Sequence, residues 1–88
     1  MRCYAQRRLG GRFVFRQGPY RGYFFSHETG EPPHIHVDRD GCSAKFWLEP
    51  VKLAQNLGFK PTELREIEKL VVARSEQCKE AWNEFFDT

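Results

Sequence analysis

At 88 residues the chain has room for one domain and not two; a domain of this size buries only roughly 60–65% of the surface exposed by its unfolded chain. Hydrophobic residues make up 40% and charged residues 30%, with 8 Phe, 3 Tyr and 2 Trp and no low-complexity tract, which excludes a disordered or fibrous chain and leaves apolar mass for a core. A net charge of +2 excludes a strongly polycationic or polyanionic protein, and no apolar run approaches the ~20 residues of a membrane helix.

No apolar signal segment follows Arg2, Arg7 and Arg8, so the expectation is a soluble protein of the cytoplasm with no membrane contact. Cys3, Cys42 and Cys78 are an odd set without close spacing, which fits neither a disulfide framework nor a zinc ribbon. We read them as reduced thiols.

Residues 1 to 11, with Gly10-Gly11 and no regular period, read as a flexible lead-in, and residues 12 to 88 as a single α+β domain. Arg12-Phe13-Val14-Phe15-Arg16 and Tyr20 to Ser26 are aromatic and β-branched runs separated by the turn residues Gln17-Gly18-Pro19, and predict two strands. His27 to Pro33 is a polar loop whose prolines favour extended geometry ahead of the next strand.

Asp40-Gly41 between two alternating runs is the signature of a two-residue type I′ hairpin, in which both turn residues need φ > 0. That turn pairs Arg39 with Cys42, Val37 with Ala44, His36 with Lys45, Ile35 with Phe46 and His34 with Trp47. Alternation then places Ile35, Val37, Ala44, Phe46 and Leu48 on the core face, and His34, His36, Asp38, Lys45 and Trp47 on the other.

Pro50 to Leu57 reads as a short helix, with proline at its first position and Gly58 as its stop. Phe59 and Leu64 have the spacing of a hydrophobic staple around a helix start at Pro61. Leu64, Ile67, Val71, Cys78, Trp82 and Phe85 continue a helical stripe interrupted at Arg74, and Glu63 falls with Glu66 and Glu68 on the solvated side. Run straight to Phe86, this helix would be roughly 39 Å long, more than the domain can cover. It must bend or pack on another chain, and we expect a homodimer or heterodimer with Trp82 or Phe86 in the interface. The expected fold is α+β: an antiparallel layer of about four strands against one short and one long C-terminal helix.

The first 25 residues carry six arginines and no acid, leaving eight of the 14 bases and all 12 acids to the rest. Arginine's planar fork suits phosphate or carboxylate, and Arg12, Arg16 and Arg21 are interleaved with aromatic residues. With Trp47, they are the candidates for binding nucleic acid or an acidic partner. The plainer reading is a set of solvated strand arginines.

His34 and His36 lie two apart on a strand, so both project to one side and could present two nitrogens to a metal. The third ligand would have to come from His27, Glu28, Glu31 or Asp38, and Lys45 would set a cation beside the site, so no metal or other cofactor is favoured. The same His34, His36 and Lys45 are the residue types of a phosphodiester-cleaving site: a base, an acid and a cation for the charge on phosphorus. Against both stands a structural role for the two histidines.

Gly18-Pro19-Tyr20-Arg21, Glu31-Pro32-Pro33-His34-Ile35-His36-Val37, Ala44-Lys45-Phe46-Trp47-Leu48 with Pro50-Val51 and Leu53-Ala54, Gly58-Phe59, Glu63-Leu64 with Ile67, and Trp82-Asn83-Glu84-Phe85-Phe86 together resemble a family of small prokaryotic proteins. It is the domain-of-unknown-function family four-one-six-zero, and the resemblance runs from about Phe13 to Phe86. It implies no catalytic residue. Genes of that family tend to lie beside those of another small family in toxin–antitoxin-like pairs, which implies a role toward a nucleic acid (RNA or DNA) or the paired protein. The expectation is an interaction protein of such a pair, the alternative a His-dependent endoribonuclease toxin, and the third reading a metal-binding protein.

Overall fold

In the computed structural model, which describes residues 11–86, five strands follow in chain order: β1 (Gly11–Gln17), β2 (Tyr20–Phe25), β3 (His34–Arg39), β4 (Cys42–Leu48) and β5 (Val51–Leu57). Two helices complete the chain, α1 (Pro61–Ala73) and α2 (Ser75–Phe86), and the strands form one antiparallel sheet in the order β1-β2-β3-β4-β5. The fold is therefore α+β as expected, with five strands instead of four. Gly11 belongs to β1, and the rest of the expected lead-in lies outside the described residues.

The β3–β4 hairpin has the register that its alternation predicts, from His34 opposite Trp47 to Arg39 opposite Cys42. Its turn differs from type I′: Asp40 sits in the left-handed region at φ 54°, whereas Gly41 does not. The register survives because the two apolar sets, not the turn type alone, choose it. Ile35, Val37, Ala44, Phe46 and Leu48 are all buried.

A bulge decides which aromatic residues of β1 enter the core. Phe13 pairs with Tyr23 and Phe15 with Gly22, so Val14 is the extra residue and the two phenylalanines fall on opposite faces. Phe15 is 3% exposed and Phe13 53%. Gly22 is what lets Phe15 lie down: a Cβ there would stand 2.3 Å from the Phe15 ring.

Pro50 to Leu57, read above as a helix, is instead β5, paired with β4 from Leu48–Val51 to Ser43–Leu57. Apart from half-buried Val51 its residues are exposed, so no apolar period selects a helix, while the free edge of β4 offers partners for every other backbone group. Gly58, at φ 107°, ends the strand, and Asn56 ties the turn through bonds with the Phe59 carbonyl (2.9 Å) and N–H (3.0 Å).

Pro61 opens α1 at its first helical position, with Phe59 buried ahead of it and Leu64 against the core, as the staple spacing requires. The single long helix is in fact two. Arg74 leaves helical geometry at φ −110°, its N–H reaching back to Leu70 (3.1 Å) and Val71 (3.2 Å). Its guanidinium lies 5.1 Å from the Phe15 ring and donates to Gln17 (3.0 and 2.8 Å) and Gln77 (2.9 Å). The break folds α2 back over the sheet, so Ile67, Leu70 and Val71 of α1 and Cys78, Ala81 and Trp82 of α2 cover the same face. Trp82, Phe85 and Phe86 all meet the Phe24 ring, at 5.0, 5.5 and 5.5 Å between centroids.

Glu63 is not a solvated-face residue. It takes a two-pronged ion pair from Arg39 (2.6 and 2.8 Å) and a bond from the Tyr20 hydroxyl (2.6 Å), clamping α1 to β2 and β3. No helix among the described residues is long and apolar enough to cross a membrane.

Candidate functional site

Both helices lie on one face of the sheet, and the strand pairing fixes what stands on the other. One cross-strand row reads Phe13, Tyr23, His36, Lys45, Gln55, and the next Arg16, Arg21, Asp38, Ser43, Leu57. Arg21 holds its guanidinium 5.8 Å from the Phe13 ring and 5.9 Å from the Tyr23 ring. Tyr23 stacks on His36 with centroids 5.3 Å apart and planes 20° apart, and its hydroxyl donates to Asp38 at 3.0 Å. Burial and the neighbouring Asp38 carboxylate push the Tyr23 phenol up to about 12, so at neutral pH it remains a donor. Farther along, Lys45 stands 4.7 Å from the Trp47 ring. Arg16 and Arg21 are exposed and enter no ion pair among the described residues.

At the end of this face, the loop from β2 brings in a carboxylate. Glu28 closes a 3-10 turn (Ser26–Glu28), where its Oε1 accepts the Phe25 backbone N–H at 2.8 Å. Its Oε2 accepts from His36 Nε2 at 2.7 Å, and Oε1 also lies 3.0 Å from His34 Nε2. Burial opposes its charge, but the Phe25 N–H and His36 outweigh that and hold the Glu28 carboxyl below the usual carboxylate range. His34 is fully buried: its Nδ1–H donates to the Pro32 carbonyl at 2.9 Å, and its ring meets Trp47, Trp82 and His36 at 5.7, 4.8 and 5.2 Å between centroids. Lys45 pairs with Glu31 at 2.5 Å, and the same Glu31 oxygen lies 3.7 Å from His34 Nδ1.

The residues singled out from sequence are thus divided. Arg16, Arg21, Lys45 and Trp47 share the uncovered face, whereas Arg12 pairs with Phe24 on the helix side and reaches Glu84 of α2 at 3.4 Å. Of the catalytic candidates His34, His36 and Lys45, His34 has no exposed surface with which to meet a substrate. Trp82, expected at an interface, is 3% exposed within its own chain, because the break at Arg74 turns the helix end inward. Phe86 is half-buried beside it, at 4.3 Å between rings. Sequence reasoning left Glu28 as one of four unranked carboxylate or histidine neighbours, since only the closed 3-10 turn brings it under the strand. It also missed that Val14, by bulging, would turn Phe13 outward.

No curated protein and no solved structure matches the chain. A family model does, over residues 20–83, a span that includes Arg21, Tyr23, Glu28, His34, His36, Lys45 and Trp47 but neither Arg12 nor Arg16. By that match over most of its length, the chain belongs to the family described as Domain of unknown function (DUF4160).

Proposed function

We propose that this chain acts as one component of a toxin–antitoxin-like pair, and that it does so by binding single-stranded nucleic acid across the uncovered face of its sheet. The observation that carries the reading is the alternation on that face of rings (Phe13, Tyr23, Trp47) with Arg16, Arg21 and Lys45. Aromatic side chains standing on an open sheet are a platform for splayed bases, each stacked base being worth about 1–3 kcal/mol, and arginines beside them track the phosphates. The cross-strand pair Arg16 and Arg21 lies one row from the Phe13–Tyr23 row, so a strand crossing the sheet meets cations and rings in adjacent rows. Arg12 drops out of this set because it faces α2.

Fluorescence anisotropy of labelled single-stranded RNA and DNA oligonucleotides at low salt tests the reading. Wild type should bind, and the double variant Arg16→Gln/Arg21→Gln should bind more weakly, with a salt slope shallower by about 0.7 for each phosphate that the arginines no longer neutralise. No binding by wild type at low salt, or equal binding by the double variant, would reject it. No oligonucleotide binding by wild type together with co-purification of the neighbouring gene's product would assign the face to a protein partner. Cleavage of the oligonucleotide that disappears in His36→Ala would make the chain an endoribonuclease, with His36 and not His34 as its base.

A further inference from the structure

The geometry points to a divalent transition-metal site made by Glu28, His34 and His36, of the two-histidine, one-carboxylate type that suits Zn2+. The three side chains come from the 3-10 turn and the first residues of β3, and one donor atom from each lies within 4.8 Å of the others. Theirs is the only such group among the described residues.

The argument rests on His34 Nε2. Because Pro32 offers a carbonyl, the bond at 2.9 Å places a proton on Nδ1, and in the neutral ring Nε2 is then a lone pair. That lone pair is buried 3.0 Å from a carboxylate oxygen, acceptor against acceptor, and it is the one buried side-chain polar atom without a hydrogen-bond partner among the described residues. An unpaired buried acceptor in that position is destabilising, and a cation between the two atoms turns the cost into a bond. At 3.0 Å from Glu28 Oε1, Nε2 makes no hydrogen bond with it.

The surroundings have the form of an outer ligand shell. Metal-bound histidine commonly donates its other N–H to a backbone carbonyl, as His34 does to Pro32, and ligand carboxylates are themselves held by donors, as Glu28 is by the Phe25 N–H. Tyr23, stacked on His36, and Trp47 and Trp82, against His34, supply apolar walls. The cation that sequence placed beside the site, Lys45, is there but paired with Glu31, whose carboxylate offsets its charge. One carboxylate and two imidazoles then face the ion with a charge that a divalent metal offsets. Ligand bonds of about 2.0–2.1 Å hold donors closer to one another than the 4.8 Å spread found here, so the side chains close in on the ion, and the metal takes the place of the proton that His36 Nε2 shares with Glu28. Three protein donors leave a coordination position toward His36, the partly exposed member of the set at 15%.

Chelator-stripped, tag-free full chain titrated with Zn2+ by calorimetry, and with Co2+ by visible absorption, tests the site. Wild type should take up one ion per chain and melt at higher temperature with Zn2+ present. Glu28→Gln and His36→Gln should each weaken uptake at least tenfold, while His27→Gln, outside the set, should leave it unchanged. Circular dichroism of the metal-free variants confirms that they are folded. Should a variant unfold, the Co2+ spectrum of wild type decides, through saturation at one equivalent with bands of nitrogen and oxygen ligation. Uptake that is absent in wild type, indifferent to His36→Gln, or lost equally in His27→Gln would overturn the proposal.

Discussion

Glu63 shows how a single side chain on a helix face can hold the layers of this fold together. The Arg39 guanidinium and, after it, the Tyr20 hydroxyl hold its carboxyl below the ordinary range. A carboxyl lowered in the folded state contributes stability that is present above its unfolded value, near 4.3, and lost as pH falls through the folded one. Glu63→Gln should therefore lower the urea midpoint at pH 7, and the gap from wild type should close below about pH 4. A gap of equal size at pH 3 would mean that the clamp acts by shape and not by charge. Neither Arg39 nor Glu63 could be paired from sequence, because 24 residues separate them and Glu63 falls on the polar side of the helical stripe. His36 was different: its face follows from alternation, and its cross-strand neighbour Lys45 from the Asp40-Gly41 turn together with the two apolar sets, and both are found there. Only the carboxylate partner, delivered by a loop, lay beyond such reasoning.

At the level of elements, readability followed the strength of the local pattern. The β3–β4 hairpin, with five apolar residues in strict alternation, was readable to the residue, and so was the start of α1 at Pro61. The stretch Val51–Leu57 was not, because its residues are nearly all exposed and its state is set by pairing to β4, not by its own period. The interruption at Arg74 was visible in the stripe, but its consequence depends on Phe15 and Gln17, far away in β1. That consequence is measurable. Trp82, buried between Phe24 and His34 by the break, should cost about 3–5 kcal/mol when replaced by alanine, a large share of the ~5–15 kcal/mol available to a small domain. Phe85→Ala, at a ring 38% exposed, should cost clearly less in the same urea titration. Equal losses would place Trp82 outside the core and restore it to an interface.

Over the whole molecule, the two faces of the sheet divide the work. One carries the core and both helices; the other carries the Phe13–Tyr23–His36–Lys45 row and the Arg16–Arg21 pair, with Glu28, His34 and His36 at its end, where Trp82 of α2 meets the His34 ring. The bulge at Val14 and the break at Arg74 are what keep the faces distinct, the first by sending Phe13 out and Phe15 in, the second by keeping α2 on the core side. The most direct test of this division is an amide and indole NMR titration of the full chain with a single-stranded oligonucleotide at low salt. Shifts should concentrate on Arg16, Arg21, Tyr23, Lys45 and the Trp47 indole N–H, leaving the Trp82 indole and the amides of α1 and α2 in place. Shifts centred on the helices, or none at any oligonucleotide concentration, would contradict the assignment of the uncovered face to nucleic acid.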